Sequence, residues 1–203
     1  MRLNILKKLT AGLVIVFLLS ACGATGSGVT IGTKEISSAE IQKYVDEILS
    51  ERAKVDTSQM NLDSGASLLR TQAQFQIISA VLDELISEKK ISVTPADVAA
   101  RRADIVAQVG GETELPSALV SASLAPSNLD KYLKIIMISE KLNELVISQG
   151  ATEESAGEVV TKLVTDTAKK LGVKVNSRYG KWNAETATID EADNTDGAVT
   201  PVP

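Results

Sequence analysis

The chain has 203 residues, of which 44% are hydrophobic, and its 21 Lys and Arg face 26 Asp and Glu for a formal net charge of −5. It contains no histidine and a single cysteine, which excludes an internal disulfide, the usual zinc sites and any nucleophile activated by histidine. The acidic balance argues against nucleic acid as a partner, because binding to phosphates requires a surplus of Lys and Arg.

The N-terminal segment predicts export. Residues 1–21 begin with a basic head, continue through an apolar run and end in small residues, the pattern of a cleaved secretory signal peptide. The letters LSAC at residues 19–22 resemble the lipobox of bacterial lipoproteins. This resemblance implies that Cys22 becomes the first residue of the mature chain and carries a diacylglycerol. An ordinary cleaved signal with an incidental cysteine is the alternative.

The net charge of the chain explains why a lipid anchor would be needed. Without residues 1–21 the chain carries 18 Lys and Arg against 26 Asp and Glu, a formal charge of −8 that anionic headgroups repel. Two acyl chains on Cys22 are enough for stable anchoring. Residues 22–28 are rich in glycine and small residues and are predicted to form a flexible tether. The sequence therefore predicts a lipid-anchored protein on the extracytoplasmic face of a bacterial membrane.

The spacing of apolar residues predicts one mainly α domain over residues 29–183, with about six helices. Ser37 and Glu40 have the spacing of a capping box, while Thr94 and Ser127 are expected to cap two later helices. The predicted helices cover residues 36–53, 66–89, 94–109, 114–123, 127–149 and 152–171.

Two short segments alternate instead. Residues 29–31 (VTI) and 173–175 (VKV) have period two and β-branched side chains, and they are predicted to pair as strands that close the domain. Residues 184–203 are acidic, rich in small residues and without a periodic apolar face, so they are predicted to be disordered.

The order of these elements resembles a known family. The segments VTIGTKEISSAEIQKYV and LLRTQAQFQIISAVLDELISEKKISVTPADV, with the helix from Leu129 to Leu145, are similar to the N-terminal domain of the SurA and PrsA family of extracytoplasmic chaperones. The segment VKVNSRYGKW also resembles the N-P-R-Y/F-G-x-W segment of related actinobacterial lipoproteins, with Ser177 where proline is usual. The resemblance implies a helical fold of the SurA N-terminal type that binds polypeptides.

The chain departs from that family in one respect. SurA and PrsA normally carry a parvulin domain, whose prolyl isomerase site typically contains histidine and which needs many more residues than the roughly 20 that follow Trp182 here. The resemblance therefore implies the binding part without the isomerase. No cofactor and no metal are expected.

Three hypotheses for function follow, of which the favoured one is an ATP-independent chaperone (holdase) for unfolded or exported polypeptides. A dedicated cell-envelope adaptor for one specific protein is the alternative, and an enzyme is the third, which the missing catalytic signatures disfavour. Candidate polypeptide-binding residues are apolar side chains surplus to a single core, each of which is also a candidate core residue: Tyr44, Met60, Tyr132, Met137, Tyr179 and Trp182. Tyr179 and Trp182 are expected either to attach the last segment to the helices or to face a client.

Overall fold

The computed structural model describes residues 26–191, and within that range the chain is mainly helical, as predicted. The helices are α1 (Ser38–Arg52), α2 (Gly65–Lys89), α3 (Pro95–Gln108), α4 (Leu115–Ser121), α5 (Leu129–Ser148) and α6 (Glu153–Leu171). The strands are β1 (Ser27–Ile31), β2 (Lys34–Ser37), β3 (Val173–Val175), β4 (Lys181–Asn183) and β5 (Thr188–Asp190). Single 3₁₀ turns lie at Pro126–Asn128 and Ser177–Tyr179.

The first and last segments of the predicted domain pair as the sequence suggests. β1 is the middle strand of an antiparallel sheet in the order β2-β1-β3, with Val29 opposite Val175 and Ile31 opposite Val173. Val29 and Ile31 are buried against α2, because alternate residues of a strand face the same side of its sheet. The pairing thus joins the two ends of the domain over its central helix.

The central helix is α2, which contains eleven buried residues and packs against α1, α5, α6 and the sheet. A helix that is buried on most sides needs partners for any polar side chain it turns inward. Two buried glutamines of α2 meet that need in part, because one side-chain atom of each is hydrogen-bonded while Oε1 of Gln72 and Nε2 of Gln76 have no partner within the described residues. The amide of Gln72 donates to the carbonyl of Ser123 at 3.0 Å, and the carbonyl of Gln76 accepts from Lys131 at 2.7 Å.

The predicted helix starts are partly correct. Thr94 caps α3 and forms a full capping box with Asp97, whose carboxylate accepts from the Thr94 amide; these bonds lower the pKa of Asp97. The predicted cap at Ser127 is wrong, because a 3₁₀ turn precedes α5 and places Asn128 at the N-cap. The backbone N–H of Ser127 instead donates to Glu47 of α1.

The predicted tether is too long. Residues 27 and 28 belong to β1, and the carbonyl of Gly28 accepts from the backbone N–H of Asn176 at 2.9 Å. A Cβ at Gly28 would lie 2.8 Å from the carbonyl oxygen of Ile36, so this glycine permits close packing of two backbones. The folded part therefore begins by residue 26, and residues 22–25 lie outside the described range.

The predicted disordered tail is wrong in its first part. Strands β4 and β5 form an antiparallel hairpin with Trp182 opposite Ile189. The side-chain amide of Gln74 donates to the carbonyl of Ala187 at 2.7 Å and accepts from the backbone N–H of Ile189 at 2.8 Å, as a neighbouring strand would. These two bonds and the burial of Ile189 attach the hairpin to α2. Residues 192–203 lie outside the described range.

The signal peptide and the lipidated cysteine remain predictions, because residues 1–21 and Cys22 also lie outside the described range. Among residues 26–191, no helix combines the length and the apolar character needed to span a bilayer.

Candidate functional site

A cleft lies between α2, α3 and α5. Both α2 and α3 pack against α5, while little of either contacts the other, and the space between them has a volume of about 470 Å³. This volume is within the range of roughly 300–1,000 Å³ that is usual for ligand pockets. The first residue of β2 closes one end.

The cleft has an apolar wall and a charged rim. The wall comes from the start of α3 and the loop before it, through Val93, Pro95, Val98 and Ala99. The rim carries four cations and two carboxylates, from Lys34, Arg102, Lys131, Lys134, Asp83 and Asp130. A surplus of cations is notable in a chain whose acidic residues outnumber its basic ones.

The two carboxylates of the rim already have partners. The ammonium of Lys134 donates to Asp83 at 2.6 Å, and the guanidinium of Arg102 lies 3.7 Å from Asp130. Lys34 and Lys131 have no carboxylate within salt-bridge distance among residues 26–191. Neither ammonium is thus in a salt bridge, although the Glu40 and Asp83 carboxylates lie near enough to Lys131 to favour its charged form.

The environment of Lys131 makes that charge costly. Its side chain is half-buried, its ammonium donates to the neutral carbonyl of Gln76, and it lies 5.7 Å from the centroid of the Tyr44 ring. Removal from water lowers the pKa of Lys131, and repulsion from Lys34 lowers it further. An amide and an aromatic face stabilise the ammonium less than a carboxylate would.

The hydroxyl of Tyr44 offers a direct test of this region. It donates to the Glu40 carboxylate at 2.9 Å, and burial, followed by this bond and the charge of Glu40, raises its pKa from 10.0 to about 12. The folded protein therefore retains a proton that the unfolded chain loses, so the free energy of unfolding falls as pH rises from 10 to 12. We expect the difference in absorbance at 295 nm between wild type and Tyr44→Phe to titrate near pH 12. A difference that titrates near 10 would contradict the buried hydrogen bond.

The structure removes two of the predicted polypeptide-binding residues. Tyr44 is 8% exposed and Tyr179 is 1% exposed, so neither is accessible to a client. Tyr179 packs with the β1 and β5 core, and its carbonyl accepts from Arg70 of α2, which agrees with attachment of the last segment. Trp182 is half-buried against the same cluster.

The other predicted residues stay predictions. Met60 and Met137 are half-buried, and Tyr132 is 39% exposed on α5. None of the six lines the cleft. The one local signal that pointed to it is the pair Lys131 and Lys134, which at i and i+3 share a face of the predicted helix.

A second hollow contrasts with the cleft. It lies beside α6, has a volume of about 570 Å³ and is lined by glycine, threonine and charged side chains such as Glu154, Glu158 and Glu185. No aliphatic or aromatic side chain lines this hollow, whereas valine and proline line the cleft.

Over the described range, no cluster of three or more potential metal ligands occurs. Comparisons with family models, with curated proteins and with solved structures find no match to this chain. The resemblance to the SurA and PrsA family accordingly stays a prediction made from the sequence.

Proposed function

We propose that this protein is a lipid-anchored, extracytoplasmic chaperone that holds unfolded or exported polypeptides without nucleotide and without prolyl isomerase activity. The observation that carries the proposal is the cleft between α2, α3 and α5, which combines an apolar wall with a charged rim. Broad, weak recognition of polypeptides needs such a surface rather than a deep, closed pocket.

The placement of the cleft supports binding rather than catalysis. Its two carboxylates form ion pairs with Lys134 and Arg102, and no histidine or cysteine lines it. The wall of α3 contains no fully buried residue, which leaves it able to adjust to different side chains. The proposed partners are unfolded polypeptides, with the membrane reached through the lipid on Cys22.

The test uses residues 22–203 with Cys22→Ser, which contain every described element and carry no lipid. We expect this protein, at a few-fold molar excess, to suppress the light scattering of an unrelated chemically denatured protein as it is diluted into buffer. Ala99→Glu places a carboxylate inside the cleft and should weaken the suppression, because the longer side chain would cover the apolar wall and its charge would attract the cations of the rim.

Ala100→Glu is the matched control, because Ala100 is an exposed neighbour on α3 that does not line the cleft, and it adds the same charge. Equal loss in both variants would move the binding surface away from the cleft. Absence of any suppression by the unmodified protein would overturn the chaperone proposal and favour the dedicated adaptor.

A further inference from the structure

Two ammonium groups of the cleft that form no salt bridge indicate what kind of segment it binds. Lys34 and Lys131 lie on the rim without a carboxylate partner among residues 26–191, although the chain has a surplus of acidic residues. The half-buried ammonium of Lys131 donates to the amide carbonyl of Gln76, and a carboxylate that accepted a hydrogen bond from it would bind more strongly than this neutral group does. An incoming carboxylate would also relieve the repulsion between the two lysines.

The apolar wall restricts the anion further. Val93, Val98 and Ala99 are aliphatic, and they lie in the same cleft as the two lysines. A free inorganic anion would gain nothing from these side chains, whereas an aliphatic segment would bury them. The required partner therefore joins a carboxylate to aliphatic groups over a few ångströms.

We propose, resting on the chaperone function above, that the cleft selects polypeptide segments in which a glutamate or aspartate stands among aliphatic residues. The carboxylate bridges Lys34 and Lys131, and its neighbours pack on Val93, Val98 and Ala99. Charge complementarity identifies the occupant, because the rest of the protein is acidic and repels such a segment. The cleft thus offers acidic clients a place to bind on a protein whose net charge repels them.

The experiment measures binding of two fluorescein-labelled peptides by anisotropy. Both have the same valine and leucine residues, and they differ only in one central residue, glutamate or glutamine. We expect the glutamate peptide to bind about tenfold more tightly, which is the effect of one charge-assisted hydrogen bond. This preference should weaken as salt is raised, since the rim is open to solvent.

Lys34→Gln tests the assignment, with Lys174→Gln as its matched control. Both lysines are exposed and lie on strands of the same sheet, but only Lys34 lines the cleft. We expect Lys34→Gln to remove most of the preference for glutamate and Lys174→Gln to keep it. Equal affinities for the two peptides, or equal losses in both variants, would overturn the inference.

The outcomes separate this inference from the chaperone proposal. If the protein suppresses aggregation but binds both peptides alike, the charge selection is wrong and the chaperone function stands. If neither peptide binds and vesicles of phosphatidylglycerol bind in a Lys34-dependent way, the cleft contacts anionic lipid and the inference is overturned.

Discussion

Gly180→Ala should detach the β4–β5 hairpin from α2 and lower the free energy of unfolding by about 3 kcal/mol. Gly180 has φ 127° and ψ −159°, a conformation that residues with a Cβ rarely adopt. A Cβ there would lie 2.1 Å from the carbonyl oxygen of Asp190. That oxygen belongs to the backbone of β5, so the strand itself must move.

Movement of β5 removes more than one interaction. Ile189 would leave the core, and Gln74 would lose both of its hydrogen bonds to the hairpin backbone. The change is measurable by urea unfolding and by the emission of Trp182, which is the only tryptophan in the chain and packs on the same cluster. We expect a lower midpoint and a shift of the emission to longer wavelength.

Gly157→Ala is the control, because the same substitution there should have the opposite sign. Gly157 lies in α6, where a Cβ would meet nothing within 4 Å, and alanine is favoured over glycine in a helix by about 0.5–1 kcal/mol. An unchanged midpoint in Gly180→Ala, or unchanged tryptophan emission, would contradict the docking of the hairpin that the structure describes.

The helices and the closing strand pair could be predicted because their signals are local. Thr94 and Thr152 begin helices through hydrogen bonds to the residue three positions later, and Gly172 ends one through hydrogen bonds to the carbonyls of residues 168 and 169. Residues 29–31 and 173–175 could be paired because each alternates and the two segments lie at opposite ends of the helical region.

The hairpin at residues 181–190 escaped prediction because its stability comes from elsewhere. Its strands have three residues each, and β5 buries a single large side chain, Ile189. Such a segment has the composition of a tail. The hydrogen bonds that hold the hairpin in place come from Gln74, more than a hundred residues earlier. The position of a glutamine in an apolar helix pattern does not indicate which distant backbone group it will bond to.

The cleft was hidden for a similar reason. Its cations come from Lys34 on β2, Arg102 on α3 and Lys131 on α5, so no window of the sequence contains the cluster. The predicted binding residues were chosen as surplus apolar side chains. In the structure two of these, Tyr44 and Tyr179, fill the core, because a small aromatic-poor protein uses its few large rings for packing.

Amide hydrogen exchange should be much faster in α3 than in the middle of α2, the two helices that flank the cleft. α2 has eleven buried residues, whereas α3 has none and meets the core only through half-buried side chains such as Val98 and Ile105. Amides in α3 therefore should open locally, while those in the middle of α2 require global unfolding. We expect protection factors in α3 to be lower by about a hundredfold or more, as measured by exchange with NMR or mass spectrometry detection.

Two matched substitutions isolate α3 in that measurement. Thr94→Ala removes the capping box of α3 at a cost of about 1 kcal/mol and should speed exchange in α3 alone, whereas Thr152→Ala removes the equivalent box of α6 and should speed exchange there.

An acidic aliphatic peptide bound between Lys34 and α3 should slow exchange in α3, because the peptide would contact both the sheet and α3 and so oppose local opening of that helix. If α3 and α2 exchanged at the same rate, the wall would be rigid, and the cleft would accept only segments that match it as it stands.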